Sequence, residues 1–200
     1  MEKPILLKTW EVQAILDNRK TQKRIPTKFK PYTSLNETNG RFEICEPVTQ
    51  NFFECRADFE KWAVSKCNYQ VGDVLWAKET WAKIEDFKNY TDAKIDADLK
   101  YLYKCDDNGK EHVYIDIGVQ KWHSPIHMPR EAARIFLKIT NVRVERLKDI
   151  TADGIKSEGL TSMAAHCGDM EIALKELKNI LKCNDTDWLW VIEFERVDGK

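Results

Sequence analysis

Two long alternating runs near the C-terminal end constrain the chain most. Residues 188–197 place Trp188, Trp190, Ile192 and Phe194 on one phase against Glu193 and Glu195 on the other. A two-residue period belongs to a β-strand, whose successive side chains point to opposite faces. Residues 133–147 repeat the pattern with Ile135, Leu137 and Ile139, and continue it on a shifted phase with Val142 and Val144. The slip at Thr140-Asn141 predicts a bulge or bend. Strands of this length need paired neighbours, because their backbone donors and acceptors must be satisfied.

Shorter signals supply those neighbours. Ile5-Leu6-Leu7 is a strand candidate, and Gly72-Asp73 predicts a tight turn leading into a strand from Val74 to Ala77 that Lys78-Glu79-Thr80-Trp81 continues. Asn108-Gly109 predicts a hairpin between residues 99–104 and 112–117. Helices are few. Thr9 can cap a helix over Trp10 to Leu16, with Asn18 as a left-handed exit. Asp58 to Val64 reads as a short helix. Thr151 caps Ala152 to Ser157, which ends near Gly159. Glu171 to Leu181 is apolar at Ile172, Leu174, Leu177, Ile180 and Leu181. The expected fold is therefore α+β: a mixed sheet closing into a small β-barrel, flanked by short helices. One domain over residues 1–200 is expected, carrying insertions at about 27–68 and 82–115. Turn residues Pro31, Asn36, Asn39-Gly40 and Pro47 mark the first, and a polar surface loop over 82–98 opens the second.

Charge then limits the partners. With 32 Lys and Arg against 33 Asp and Glu, the formal net charge is −1. No global field draws nucleic acid, so any such contact must come from a local patch. Six cysteines stand at 45, 55, 67, 105, 167 and 183, and no pair has C-x-x-C spacing. No metal or cofactor motif is visible, neither a G-x-G-x-x-G nor a P-loop. Met1-Glu2-Lys3-Pro4 does not read as a signal peptide, and no apolar stretch approaches the roughly 20 residues of a membrane span. A cytoplasmic protein with reduced thiols, and no membrane partner, is the expectation.

The local patch follows the first helix. Arg19, Lys20, Lys23 and Arg24 are four cations within six residues, with one hydroxyl, Thr21, among them. Like charges this close repel, so the cluster is either a solvated turn or an anion site in which a phosphate or oxyanion holds the cations together. Lys28 and Lys30 would extend it into a positive strip. Aromatic side chains could stack on a base beside it: Trp76, Trp81 and Trp122 are candidates. Trp10 and Trp190, in periodic settings, read as core. Glu79, His127 and Arg130 could line the same cleft, although a hydrogen-bonded structural histidine explains His127 equally well.

Together these motifs resemble the ASCH domain, a β-barrel of the PUA-like superfamily. The resemblance rests on the helix ending Asp17-Asn18-Arg19-Lys20-Thr21, the Val71-Gly72-Asp73-Val74-Leu75-Trp76 turn and strand, the segment from Ile150-Thr151 to Glu158-Gly159, and Trp190-Val191-Ile192-Glu193-Phe194. Glu79-Thr80-Trp81, Ile126-His127-Met128-Pro129-Arg130 and Val142 to Leu147 make it similar to ASCH proteins carried by phages and prophages. It does not cover residues 27–68 or 82–115.

The resemblance implies a role with RNA or a modified nucleobase or nucleoside. Some ASCH proteins are amidohydrolases that deacetylate N4-acetylcytidine, and Lys20 and Glu158 match their catalytic positions. Their nucleophile is a threonine three residues after the lysine; here that position is Lys23. Another type cleaves RNA. Deacylation would need Lys20 as base or oxyanion partner, Glu158 as proton shuttle, and a nucleophile, for which Thr21 or a water activated by Glu158 are the options. Thr21 is adjacent to Lys20, so an extended chain sends the two side chains to opposite faces. Three readings stay open: a binding module for RNA or a modified nucleoside, an amidohydrolase on an acylated cytidine, and a module whose inserted segments contact a host protein.

Overall fold

The computed structural model describes residues 1–36, 41–46, 51–83, 100–106, 122–160 and 170–198, with the side chains of 33–36, 41–43 and 170 left aside. The predicted Asn108-Gly109 turn, most of the 82–98 loop and Cys167 lie outside these residues.

The strands are β1 (Glu2–Leu6), β2 (Gln22–Pro26), β3 (Tyr32–Asn36), β4 (Arg41–Glu46), β5 (Asn51–Phe53), β6 (Val74–Lys78), β7 (Trp81–Lys83), β8 (Tyr101–Tyr103), β9 (Phe136–Arg146) and β10 (Trp188–Val197). The helices are α1 (Thr9–Leu16), α2 (Arg56–Ser65), α3 (Ala152–Ser157) and α4 (Met170–Leu181). A five-stranded mixed sheet runs β1-β6-β9-β10-β2, alongside a three-stranded sheet β3-β4-β5 and a ribbon β7-β8. β1 pairs with β6 in parallel, while β6–β9 and β10–β2 are antiparallel. The fold is thus mixed α+β. The expected barrel closure is not seen among the described residues: β1 and β2 end the order as edges, and closure would require those two to pair.

By compactness the chain divides into two units. The first holds Met1–Asn18, Val74–Lys138 and Arg196–Lys200, and the second Arg19–Asp73 and Ile139–Glu195, so β9 begins in one and ends in the other.

In the first unit, α1 buries Val12, Ala14 and Ile15, and the Glu11 carboxylate accepts the Lys8 backbone N–H at 2.9 Å, satisfying an orphan donor of the first turn. Asn18 ends the helix at φ 57°, the left-handed exit its amide side chain tolerates. The strand expected to continue from Val74 through Trp81 breaks at Glu79-Thr80. Trp81 opens β7, which pairs with β8 rather than with the main sheet.

In the second unit, the described residues of 27–68 include the small sheet β3-β4-β5 and α2, which meet through Phe53 and Phe59. Phe59, Ala63, Val144 and Trp188 form the core there, with Phe29, Phe53, Trp62 and Trp190 packed against it. Trp190 also donates its indole N–H to Ala63 O at 2.9 Å. Thr140 and Asn141 are both exposed between buried Ile139 and Val142, so the alternation slips where the sequence says it does. β10 buries residues of both phases, Trp188, Leu189, Val191 and Ile192 among them, as an interior strand does. α4 differs from expectation: Ala173 and Leu177 turn inward while Ile172 is exposed. A one-turn pair at i and i+4 suffices for a helix that covers only an edge.

Candidate functional site

The basic segment is not a turn. β2 starts at Gln22 and runs to Pro26, which is tolerated because the strand lies at the sheet edge and ends there. Alternation sorts the cluster. Lys20, Gln22 and Arg24 are buried, whereas Thr21 is exposed and Lys23 half-buried. The expected positive strip is therefore split, with two of its cations turned inward.

Those two cations meet carboxylates brought from far along the chain. Lys20 Nζ donates to Glu158 Oε2 at 2.8 Å and to the Glu158 carbonyl at 3.0 Å. Arg24 donates through Nη1 to Glu158 Oε1 at 2.8 Å, and through Nε and Nη2 to Glu145 Oε1 at 2.8 and 2.5 Å. Gln22 Nε2 and Arg24 Nη1 both donate to the Gly154 carbonyl, at 2.6 and 3.1 Å. The side chains of Lys20, Arg24 and Glu158 are 0 %, 1 % and 3 % exposed. Two cations face two carboxylates in this pocket of low dielectric. Both oxygens of Glu158 are occupied, which such burial requires.

The local sequence explains why α3 delivers Glu158 there. Thr151 accepts the Gly154 N–H at 3.1 Å and starts the helix; Gly159 at φ 73° stops it, leaving Glu158 as the last residue of the turn. Thr21 N–H donates to Ser157 O at 3.0 Å, Phe194 N–H to Thr21 O at 2.9 Å, and Arg19 Nη1 to Gly159 O at 2.8 Å. The segment is thereby clamped on one side to α3 and on the other to β10. Gly154 is also a close approach: a Cβ on it would lie 2.9 Å from Arg24 Nη2.

The other expected site residues fall in the first unit. Glu79, 1 % exposed, accepts Arg134 Nε at 3.0 Å and Nη2 at 3.1 Å, and the Cys105 thiol at 3.1 Å. Arg134 also reaches Asp106 and stacks 3.9 Å over the Tyr103 ring. Burial pushes the Tyr103 hydroxyl up to about 12, helped by Glu79 and Asp106 and opposed by Arg134. It also pushes the Cys105 thiol well above its usual range, with Glu79 adding to the effect. Burial would lower the Arg134 guanidinium, but its bonds to Glu79 and Asp106 prevail and raise it.

Trp81 is 5 % exposed in a core cluster with Met128 and Ala132, so it offers no ring face to a ligand from there. Trp76 and Trp122 are half-buried beneath the ammoniums of Lys78 and Lys104. Arg130 is held by Glu2 through two hydrogen bonds and lies 4.4 Å over Phe136. His127 is exposed in a 3₁₀ turn.

Within the second unit the structure thus brings Lys20, Arg24 and Glu158 together, with Arg19 beside them. The aromatic candidates each meet a different partner: Trp76 lies beneath Lys78, Trp122 beneath Lys104, and Trp81 beside His123. Sequence reasoning missed Glu145, Gln22 and Arg134. The available signal was charge balance, since two inward cations require a second carboxylate beyond Glu158. No triad of His, Cys, Asp or Glu suited to a metal occurs among the described residues, and no described helix is long and apolar enough to cross a membrane. No protein-family model, curated protein or solved structure matches this chain.

Proposed function

We propose that the chain is a binding module of the ASCH, PUA-like kind, which takes RNA or a modified cytidine without turning it over. The observation that carries this is the pairing of Lys20 with Glu158. The two positions marked by the resemblance stand 138 residues apart and meet at 2.8 Å. They lie buried behind the basic segment and fix its course. Arg19, Thr21 and Lys23 keep part of their surface exposed and are the groups that would meet phosphate or base edges.

The same geometry favours binding over deacylation. Lys20 and Glu158 hold each other, and Arg24 occupies the remaining Glu158 oxygen. The position of the expected nucleophile is Lys23. Thr21 is exposed while Lys20 is buried, so the hydroxyl and the ammonium lie on opposite sides of the chain.

The test is calorimetric binding and product analysis with N4-acetylcytidine, free and within a short RNA, for the wild type, Lys23→Thr and Glu158→Gln, the last with its fold checked by a melt. We expect binding by the wild type, steeper in salt for RNA than for the nucleoside, and no cytidine released. Release by the wild type that disappears in folded Glu158→Gln would replace the module by an amidohydrolase. Absence of binding to either probe would leave a protein partner as the reading to pursue.

A further inference from the structure

We infer that the β7–β8 ribbon of the first unit carries a separate binding site for a nucleoside monophosphate, whatever the basic segment of the second unit binds. The register pairs Trp81 with Tyr103, Ala82 with Leu102 and Lys83 with Tyr101. Directly opposed residues share a face of a ribbon. Ala82 and Leu102 therefore point one way and are 0 % and 1 % exposed. Trp81, Lys83, Tyr101 and Tyr103 point the other way.

The segment around Met128–Arg134 covers one end of that second face. Trp81 packs on Met128 and Ala132, and the Tyr103 hydroxyl donates to the Ala132 carbonyl at 2.7 Å. The other end opens into a pocket of about 330 Å³ lined by Lys83, Lys100, Tyr101 and Glu131. That volume falls in the range small-ligand sites occupy, roughly 300–1,000 Å³.

The lining specifies the ligand's chemistry. Among the described residues, neither the Lys83 nor the Lys100 ammonium has an ion-pair or hydrogen-bond partner, so two ammoniums in the lining can serve an anion. A phosphate monoester carries about −1.5 to −2 charges at neutral pH and matches the pair. Tyr101 supplies a fixed ring wall: its hydroxyl donates to Glu131 Oε1 at 2.7 Å, and Trp81 meets it edge-on at 5.7 Å between centroids. A ring held this way stacks on a planar base with little ordering cost. Glu131 repels phosphate, so the anion belongs at the lysine end. The carboxylate end suits a ribose hydroxyl or an exocyclic amine, both of them donors. An anion, a donor and a flat ring in one ligand of this size describe a nucleotide better than a bare phosphate or an oligomer.

The test is titration of the full chain with each of the four ribonucleoside 5′-monophosphates, with the matching nucleosides, and with inorganic phosphate. We expect at least one monophosphate to bind about tenfold more tightly than its nucleoside and than phosphate. The double variant Lys83→Ala/Lys100→Ala should lose about tenfold in affinity at an unchanged melting temperature, because neither lysine holds the fold. Tyr101→Leu should lose about tenfold, with Tyr101→Phe, which keeps the ring, close to wild type. The proposal is overturned if no monophosphate binds, if the double lysine variant binds as the wild type does, or if phosphate alone binds as tightly as the nucleotide.

Discussion

Arg24 and Arg134 are each held by two carboxylates, yet they sit in opposite environments. The Arg24 side chain is 1 % exposed, and with Lys20 it faces buried Glu158 and the 16 % exposed Glu145, so charge cancels where little water reaches. The Arg134 side chain is 28 % exposed and shared between buried Glu79 and half-exposed Asp106, with a thiol and a phenol alongside. The first arrangement meets water only at Glu145. Lys20 and Arg24 share Glu158 as their common acceptor, and its loss strands both. The second is rimmed by water, which can replace a lost partner. One guanidinium–carboxylate motif thus serves in one place as an all-or-none clamp and in the other as a tolerant, titratable cluster.

The comparison breaks most sharply under carboxylate deletion. Glu158→Ala leaves the Lys20 and Arg24 charges buried without their common partner, and should cost about 3–5 kcal/mol or prevent folding. Glu79→Ala should cost less, about 1–3 kcal/mol, because Arg134 keeps Asp106 and part of its hydration. Denaturant melts of the two variants measured side by side check the ordering; equal losses would mean that burial does not separate the two clusters.

Next in size is Gly154→Ala. Its Cβ would press on Arg24 Nη2 at 2.9 Å, and Arg24 is pinned at both Glu145 and Glu158. A loss of about 1–3 kcal/mol is expected, although alanine ordinarily favours a helix. A stabilised variant would show the clamp to be slack.

The smallest effect is in pH. Cys105 and Tyr103 hold their protons more tightly in the folded chain than in the unfolded one, burial being the main cause. Their contribution is fully present below the unfolded values of 9.0 and 10.0 and is lost as pH rises beyond them, since the unfolded chain releases those protons first. Thermal melts between about pH 8 and 11 should fall with pH, and less steeply in Cys105→Ser. An unchanged slope in that variant would remove the thiol from the account.

Much of the scaffold was legible. The Gly72 turn, the Thr151 cap, the Asn18 exit and the slip at Thr140-Asn141 are local events, set by a residue's own backbone preference or by side-chain period. The candidate site was legible only in part. Its even-numbered members, Lys20, Gln22 and Arg24, share a face by alternation, but alternation applies only because Gln22–Pro26 is a strand, which no apolar period in this charged segment announces. The break between Lys78 and Trp81 was also hidden, because Glu79 is recruited by Arg134 from 55 residues away.

The sequence by itself therefore determined the two long strands, most of the helices, the basic segment and the glycine that ends α3 at Glu158. Only the tertiary structure decided that the cations of this segment are internal, and which acids answer them. Arg24 finds Glu145 across 121 residues and Glu158 across 134. The physical reason is that periodicity fixes the direction in which a side chain leaves the backbone, whereas charge neutralisation is settled by whatever the fold places opposite it.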